Sequence, residues 1–415
     1  MVLDVIVIGA GPAGLSAGYY LEQSGLNYLI IERSDIGDSW TSQRWDAMVL
    51  NTPNRMNCLP NMDFSDANPD GFMSAKEFAN NLSAYANQEN LSIITQCEVK
   101  KVWKEEAASL FHVLTATDDG EVNYLAKSVV IASGLLNKKK HSDFRDDLGD
   151  GVCQIHSSEY KNSSDLKDGG VLVVGSGQSG MQITRDLVKA NRKVYLSTSK
   201  VGKIPRVYRG LDIELWLVKT GFYDEQAEQM DVVDKQASQP QILSCDESGN
   251  QLGWNYLANR NVELLGSVNK VGNGMVCFDN NVISNIEYGE TEFEKITSLV
   301  DSYTSIHQLD SITDEGICKE GIVIDDLLIR QDNLNLKGLG ITNVIWATGV
   351  TGALDYLKMP IMNHNQEILH TDGVSKIENL YFLGIPYQRK RKSGMIYGIV
   401  EDAQFVTGKI IANLS

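Results

Sequence analysis

Residues 5–33 read VIVIGAGPAGLSAGYYLEQSGLNYLIIER, and this stretch decides the fold class. Val2 to Ile8 is a short, branched, apolar run of the kind a strand buried on both faces requires. It runs into GAGPAG at 9–14, and a helix-like segment then ends near Gly25. The glycines serve separate purposes. Gly9 permits a tight turn, Gly11 lets backbone approach a pyrophosphate, and Gly14 lets helix and strand pack closely. The helix, opened by Pro12 and Ala13, turns its N-terminus toward that anion. A second strand from Tyr28 ends in Glu32, 18 residues past Gly14, where an acid that grips an unphosphorylated ribose belongs. FAD or NAD suits such an acid.

The unit recurs. Strand VLVVG leads into GSGQSG at 175–180, whose first glycine lies 166 residues after Gly9, and a helix and the strand KVYLST follow. Gly175, Gly177, Gln178, Ser179 and Gly180 form this second cradle. The spacing that put Glu32 after Gly14 puts Thr198 after Gly180, within Ser197-Thr198-Ser199-Lys200 and ahead of Lys203 and Arg206. Hydroxyls and cations without a carboxylate are what a 2′-phosphate needs, so NADPH is expected here and FAD at the first cradle. Two near-repeats, VVIASG at 129–134 with Ala132 and VIWATG at 344–349 with Ala347, Thr348 and Gly349, each end an apolar strand in small residues that admit close backbone. The expected fold is α/β: two Rossmann-like dinucleotide-binding domains, with the NADPH domain (166–320) inserted between two parts of the FAD domain (1–165 and 321–415).

Composition narrows the function. The 415 residues carry 37 Lys and Arg against 54 Asp and Glu, a formal net charge of −17. That field repels phosphate backbones and anionic lipid, so neither nucleic acid nor a membrane surface is an expected partner. No apolar stretch approaches the roughly 20 residues of a membrane span, and Asp4 stands where a signal peptide would be basic. The cysteines (Cys58, Cys97, Cys153, Cys245, Cys277, Cys318) lack CxxC spacing and read as free thiols of a cytoplasmic protein. Histidines lack HxxxH spacing and no GxSxG elbow occurs, so neither a metal site nor nucleophilic hydrolysis is expected.

Together these motifs resemble the class B flavin-dependent monooxygenases, the group of flavin-containing and Baeyer–Villiger monooxygenases, and especially their compact bacterial members. The resemblance runs through GAGPAG with Glu32, IGDSW around Trp40, LNTPNRMNCLP at 50–60, GVCQIHSSEYK at 151–161, GSGQSG, the turn at 347–349 and SGMIYGIVEDAQ at 393–404. It implies that NADPH reduces FAD, that reduced flavin captures O2 as a C4a-peroxyflavin, and that oxygen passes to a small electron-rich substrate such as an amine or sulfide. Baeyer–Villiger oxidation of a ketone is one alternative. A flavin reductase passing electrons to a quinone or protein is the other.

By the same resemblance, Asn51, aligned on CLP at 58–60, is the asparagine that steadies the oxygen adduct and meets the nicotinamide, with Asn54 competing for the role. His156 belongs to the fingerprint segment, which departs from the family pattern: Gly151 stands five residues before the histidine, Asp150 replaces a phenylalanine, and Tyr160 closes it where Baeyer–Villiger enzymes carry Trp. That histidine is either chemical or a linker between the domains. Trp40, Arg44, Arg33, Val99, Ser393 and Gly394 are expected around the flavin. Ile385 stands where disulfide reductases place an aspartate, so a backbone contact, Asp402 or Gln404 is expected to substitute. The basic run 389–392 is either a phosphate site or a solvated loop, and a helix from Ile396 is expected to aim its positive end at the flavin. Trp216, Phe222 and Tyr223 read as core or as a substrate-pocket wall. The acidic stretch 284–340, with a helix expected over Glu292–Leu309, either covers the active site or supports a homodimer.

Overall fold

The computed structural model describes residues 2–63, 68–105, 109–135, 137–149, 151–231, 235, 240–243, 253–309, 324–331, 333–365 and 367–414. Asp150, Cys245 and Cys318, and part of the 284–340 stretch, lie outside the described residues. Strand β1 (Val2–Ile8) is the hub of a nine-stranded sheet. Side by side lie β12 (His370–Thr371), β13 (Val374–Ser375), β14 (Leu380–Phe382), β6 (Gly120–Ile131), β1, β2 (Tyr28–Ile31) and β3 (Ile93–Ile94). The antiparallel strands β4 (Glu98–Glu105) and β5 (Leu110–Thr117) continue from β6 as a meander. Alternation along β1 explains its all-apolar sequence. Val5 and Val7 pack with helices α1 (Pro12–Ser24), α3 (Ala75–Gln88) and α7 (Ile396–Leu414), while Ile6 and Ile8 pack against Phe111 and Val113 of the meander.

A second sheet of five parallel strands runs β10 (Glu263–Leu265), β9 (Val194–Ser197), β8 (Gly170–Val174), β11 (Ile341–Trp346) and β7 (Cys153–His156). Its hub is built like β1: Val171 and Val173 pack with Met181, Ile183 and Leu187 of α4 (Gln178–Lys189), and Leu172 and Val174 pack with Val271 and Val276 on the other face. β7 and β11 fall outside the expected span 166–320, because a strand is placed by its pairing partner and not by its distance from the glycine motif. A short antiparallel ribbon, Lys138–Lys139 against Val350–Thr351, carries the chain out to this second unit and back.

One smaller expectation shifts its bounds and another is narrowed. The helix expected over Glu292–Leu309 is α6, Val282–Ile306, whose apolar positions begin earlier at Val282 and Ile286. Trp216, on helix α5 (Ile213–Lys219), is fully buried and packs with Tyr223, Ile296 and Val300, so it belongs to the core.

Candidate functional site: two cradles and their joint

Gly9 leaves β1 at φ +105°, and a Cβ there would lie 2.7 Å from the carbonyl oxygen of Ala132. A Cβ on Gly14 would lie 1.8 Å from the carbonyl oxygen of Gly9, so no larger residue fits. One on Gly11 would meet nothing within 4 Å. The room beyond is part of a cavity of about 530 Å³. Gly11 caps α1, Pro12 opens it, and its first turn holds no acid, so the positive helix end is uncompensated by its own residues. Glu32 is fixed by two amides: Ala10 N–H donates to Oε2 at 2.8 Å and Ser34 N–H to Oε1 at 3.0 Å.

The cavity wall brings together Gly9, Gly11, Pro12, Ala13, Glu32 and Arg33 with Trp40, Arg44, Val99, Ala132 and Gly394. Trp40 sits on the short helix α2 (Ser39–Ser42), edge-on to Phe78 of α3, with the Arg44 guanidinium 5.5 Å from its ring. Burial lowers the Arg44 pKa, so its charged form is the costlier one there. Ile396 and Ile399 line the wall, so the first turn of α7 meets the cavity. Ser393 is not part of the wall; its Oγ accepts the Arg389 and Lys390 amides, both at 3.1 Å, and shapes the turn before Gly394. Asp402 is buried beside Arg389 and Gln404 is exposed, and neither is in the wall.

The second cradle repeats the first atom for atom. A Cβ on Gly175 (φ +107°) would lie 2.5 Å from the carbonyl oxygen of Ala347, one on Gly180 would lie 1.9 Å from that of Gly175, and one on Gly177 would meet nothing within 4 Å. The turns holding Ala132 and Ala347 are thus the same steric stop in each unit. The backbone register expected from spacing holds: Gly175 N–H donates to Ser197 O as Gly9 N–H donates to Ile31 O, which puts Thr198 at the strand position of Glu32, and what differs is the side chain that reaches the cradle. Ser176, which follows the first glycine as Ala10 does, exchanges hydrogen bonds with Ser199: its N–H donates to Ser199 Oγ at 3.4 Å, and Ser199 N–H donates to its Oγ at 2.9 Å. The side chain that meets this amide, as Glu32 meets that of Ala10, is Ser199, one residue past Thr198.

The Thr198 and Ser197 hydroxyls are buried and donate to the carbonyls of Leu265 and Gly266, each at 2.8 Å. A hydroxyl at a strand end satisfies the neighbouring strand first. Lys203 is ion-paired with Glu290, and Arg206 turns away to the loop holding Asn51. Ser199, half-buried, and Lys200, exposed above the Tyr288 ring at 4.6 Å, are the expected phosphate contacts that remain at the surface.

Asn51, Asn54 and His156 are all outside the cavity wall. Asn51 is the joint between the units: its Oδ1 accepts from Gln178 Nε2 and Gln182 Nε2 of α4, both at 3.1 Å, and its backbone carbonyl accepts from Arg206 Nη1 at 2.7 Å. Asn54 is consumed by its own loop, with Nδ2 donating to Asn68 O and Oδ1 accepting from Met73 N–H, each at 3.0 Å. His156 is buried at the end of β7. Ser158 N–H donates to Nδ1 at 3.2 Å, which leaves the proton on Nε2 to donate to Gly349 O at 2.9 Å, and burial lowers its pKa. It pins the hinge turn as a neutral ring, while Thr348 Oγ1 donates to Lys140 O at 2.6 Å.

Tyr160 and Lys161 close the fingerprint, and the sequence assigned neither a part in the site. Lys161 donates to three carbonyls at the end of α2, Thr41 and Ser42 at 2.7 Å and Arg44 at 2.9 Å, and so holds the Trp40 loop. The Tyr160 hydroxyl donates to Asp186 of α4 at 2.5 Å. The basic run is neither of the expected things. Arg389, Lys390, Arg391 and Lys392 pair with Asp224 and Glu225 of the second unit and with Glu401 and Asp402 of α7, forming a clasp between units.

Among the described residues no group of three His, Cys, Asp or Glu side chains is placed to hold a metal, and no helix is long and apolar enough to cross a membrane. Residues 6–209 match the family model described as pyridine nucleotide-disulphide oxidoreductase. An uncharacterized CzcO-like oxidoreductase of Geobacillus kaustophilus is 30% identical over 413 residues, 99% of each chain. The probable indole-3-pyruvate monooxygenase YUCCA9 of Arabidopsis thaliana is 30% identical over 209 residues, 49% of each chain. In fold, the chain is similar to the flavin-containing monooxygenase of Stenotrophomonas maltophilia, with a TM-score of 0.68, 17% identity and full coverage of both chains. Two cradles, their joint and these likenesses agree: the chain belongs to the CzcO-like oxidoreductases, with the fold of a flavin-containing monooxygenase.

Proposed function

We propose that the chain is an NADPH- and O2-dependent FAD monooxygenase acting on a small electron-rich substrate such as an amine or sulfide. One observation carries the reading: two cradles of the same geometry end in different ribose chemistry, a carboxylate at Glu32 and a hydroxyl and ammonium at Ser199 and Lys200. The residues present fit both cofactors, since Gly11 and Gly177 each open onto space that a Cβ would enter without contact. FAD in the first cradle would supply hydride acceptance from NADPH and activation of O2. The protein supplies placement. Glu32 holds a ribose, the α1 and α4 N-termini hold pyrophosphates, and Trp40 and the first turn of α7 border the flavin. Gln178 and Gln182 fix the Asn51 carbonyl, which orients its Nδ2 as the donor left for nicotinamide or oxygen.

Residues 2–140 and 350–414 form the FAD unit in this reading, residues 153–349 the NADPH unit, and the protein works in the cytoplasm. The test is anaerobic reduction with NADPH followed by exposure to 18O2 in the presence of an amine, sulfide or ketone panel. A product carrying one 18O atom supports the assignment, and the substrate that yields it names the branch. Bleaching and reoxidation that give only hydrogen peroxide, with faster turnover when a quinone is added, assign the chain as a reductase.

A further inference from the structure

Helix α6 lies along the segment that leaves β9, from Thr198 to Lys203. Asn285 Nδ2 donates to the buried Thr198 Oγ1 at 3.1 Å. A Cβ added to Gly289 would lie 3.3 Å from the carbonyl oxygen of Val201, and one added to Gly202 would lie 2.9 Å from Cγ of Glu292. Positions 285, 288, 289 and 292 share one face of a helix, so Tyr288 belongs to the same contact. The loop bearing Ser199 and Lys200 thus takes its path from α6, and the missing side chain at Gly289 lets the helix come close enough for the ring to reach it.

That helix meets two lysines in different ways. Lys203 is buried, its ammonium ion-paired with Glu290 and 5.6 Å from the Phe293 ring, so its charge is spent inside the fold. Lys200 is exposed, and its ammonium lies 4.6 Å from the centre of the half-buried Tyr288 ring. Among the described residues no carboxylate is paired with it. A carboxylate holds an ammonium by cancelling its charge. An aromatic face holds it through the ring quadrupole and leaves the charge, and the N–H donors turned away from the ring, available to an anion. The distinction matters here because Glu287 and Glu292 flank Tyr288 on α6, and a long, mobile lysine without a seat would be drawn to such acids.

We propose that Tyr288 is a positioning residue for NADPH: its ring seats Lys200 beside Ser199 with the ammonium uncancelled, so that the second cradle favours a phosphorylated ribose, while Glu290 removes Lys203 from that role. This rests on the reading of the second cradle as the NADPH site and deepens it, by assigning part of the selectivity to a helix outside the strand, glycine and helix motif.

Calorimetric titration of the FAD-loaded protein with adenosine 2′,5′-bisphosphate and with 5′-AMP separates the 2′-phosphate from the rest of the nucleotide. Wild type is expected to bind the bisphosphate at least about tenfold more tightly. Y288L should cut that preference by about three- to fivefold and leave 5′-AMP binding unchanged, and Y288F should retain it, because a phenyl face also holds a cation. K200M should remove most of the preference. In the K200M background Y288L should change it no further, since the ring acts only through the ammonium. Y288L with the wild-type preference, Y288L that weakens both nucleotides alike, or a Y288L effect that persists without Lys200 overturns the proposal and leaves the NADPH assignment standing. Wild type that binds the two nucleotides equally defeats that assignment, and the proposal with it.

Discussion

The two cradles differ only past the point where their glycines stop mattering. In both, the first glycine is stopped by an alanine carbonyl, the third abuts the carbonyl of the first, and the middle one opens on free space. The difference lies one strand away. In the first unit a carboxylate bonds the amide after the first glycine, and in the second a serine hydroxyl does so. Steric needs are shared by any dinucleotide, so they repeat; the charge at the ribose is where two such sites can part.

The largest effect expected is steric. Gly14→Ala and Gly180→Ala each force a Cβ to within 2 Å of a carbonyl oxygen, so both should cost about 3 kcal/mol or more, read as a drop in Tm of the purified protein. Middle-glycine variants should separate the cradles without unfolding either. Gly11→Val is expected to keep a native Tm and lose the yellow colour, whereas Gly177→Val keeps the colour and weakens NADPH binding by about tenfold or more. Equal loss of flavin from both would break the assignment of the sites. Next comes Ser199→Glu, which restores the acid of the first cradle to the second; kcat/KM ratios should shift from NADPH toward NADH by about tenfold. Thr198→Glu, at the strand position of Glu32, should instead destabilise the unit, because its side chain is buried and bonded to Leu265 O.

Smaller effects concern pH, and here two buried groups pull in opposite directions. Glu214 holds a proton in the folded chain up to about pH 7 but only up to about 4.5 when unfolded. The native state binds the extra proton, so stability falls as pH rises between those values, by about 3 kcal/mol at most. E214Q should remove that slope in thermal melts between pH 5 and 8. For His156 the folded pKa is depressed, so the unfolded state binds the extra proton, and stability falls as pH drops below about 6.5. His156→Ala should lose that acid sensitivity at the expense of about 2 kcal/mol from the unpaired Gly349 carbonyl and Ser158 amide.

Much of the architecture was legible because the signals were local. Strand, glycines and helix lie within about 30 residues in each unit, and the first and third glycines answer to contacts that backbone geometry makes compulsory. The candidate site was read less fully. Thr198 and Arg206 had the right chemistry for a phosphate, but Leu265 and the Asn51 carbonyl, both distant in sequence, claim their polar atoms first. Lys390 and Lys392 read as free charges until Asp224 and Glu401 arrive from other elements. The sheet that β7 and β11 join was not legible for the same reason, since the motifs they carry, the fingerprint and the 344–349 turn, do not name a pairing partner, and each is assigned only by its neighbour.

The ribbon of Lys138–Lys139 and Val350–Thr351 has a mechanical consequence. Outgoing and returning chain cross between the units side by side, so the covalent linkage acts as one pivot rather than two, easy to bend and stiff to twist. Rotation about it is resisted at two rims, by Lys161 on the Trp40 loop and by the ion pairs of residues 389–392. Dissolved salt weakens mainly the second. Ionic strength should therefore bias which rim opens first, giving the molecule a preferred direction of swing.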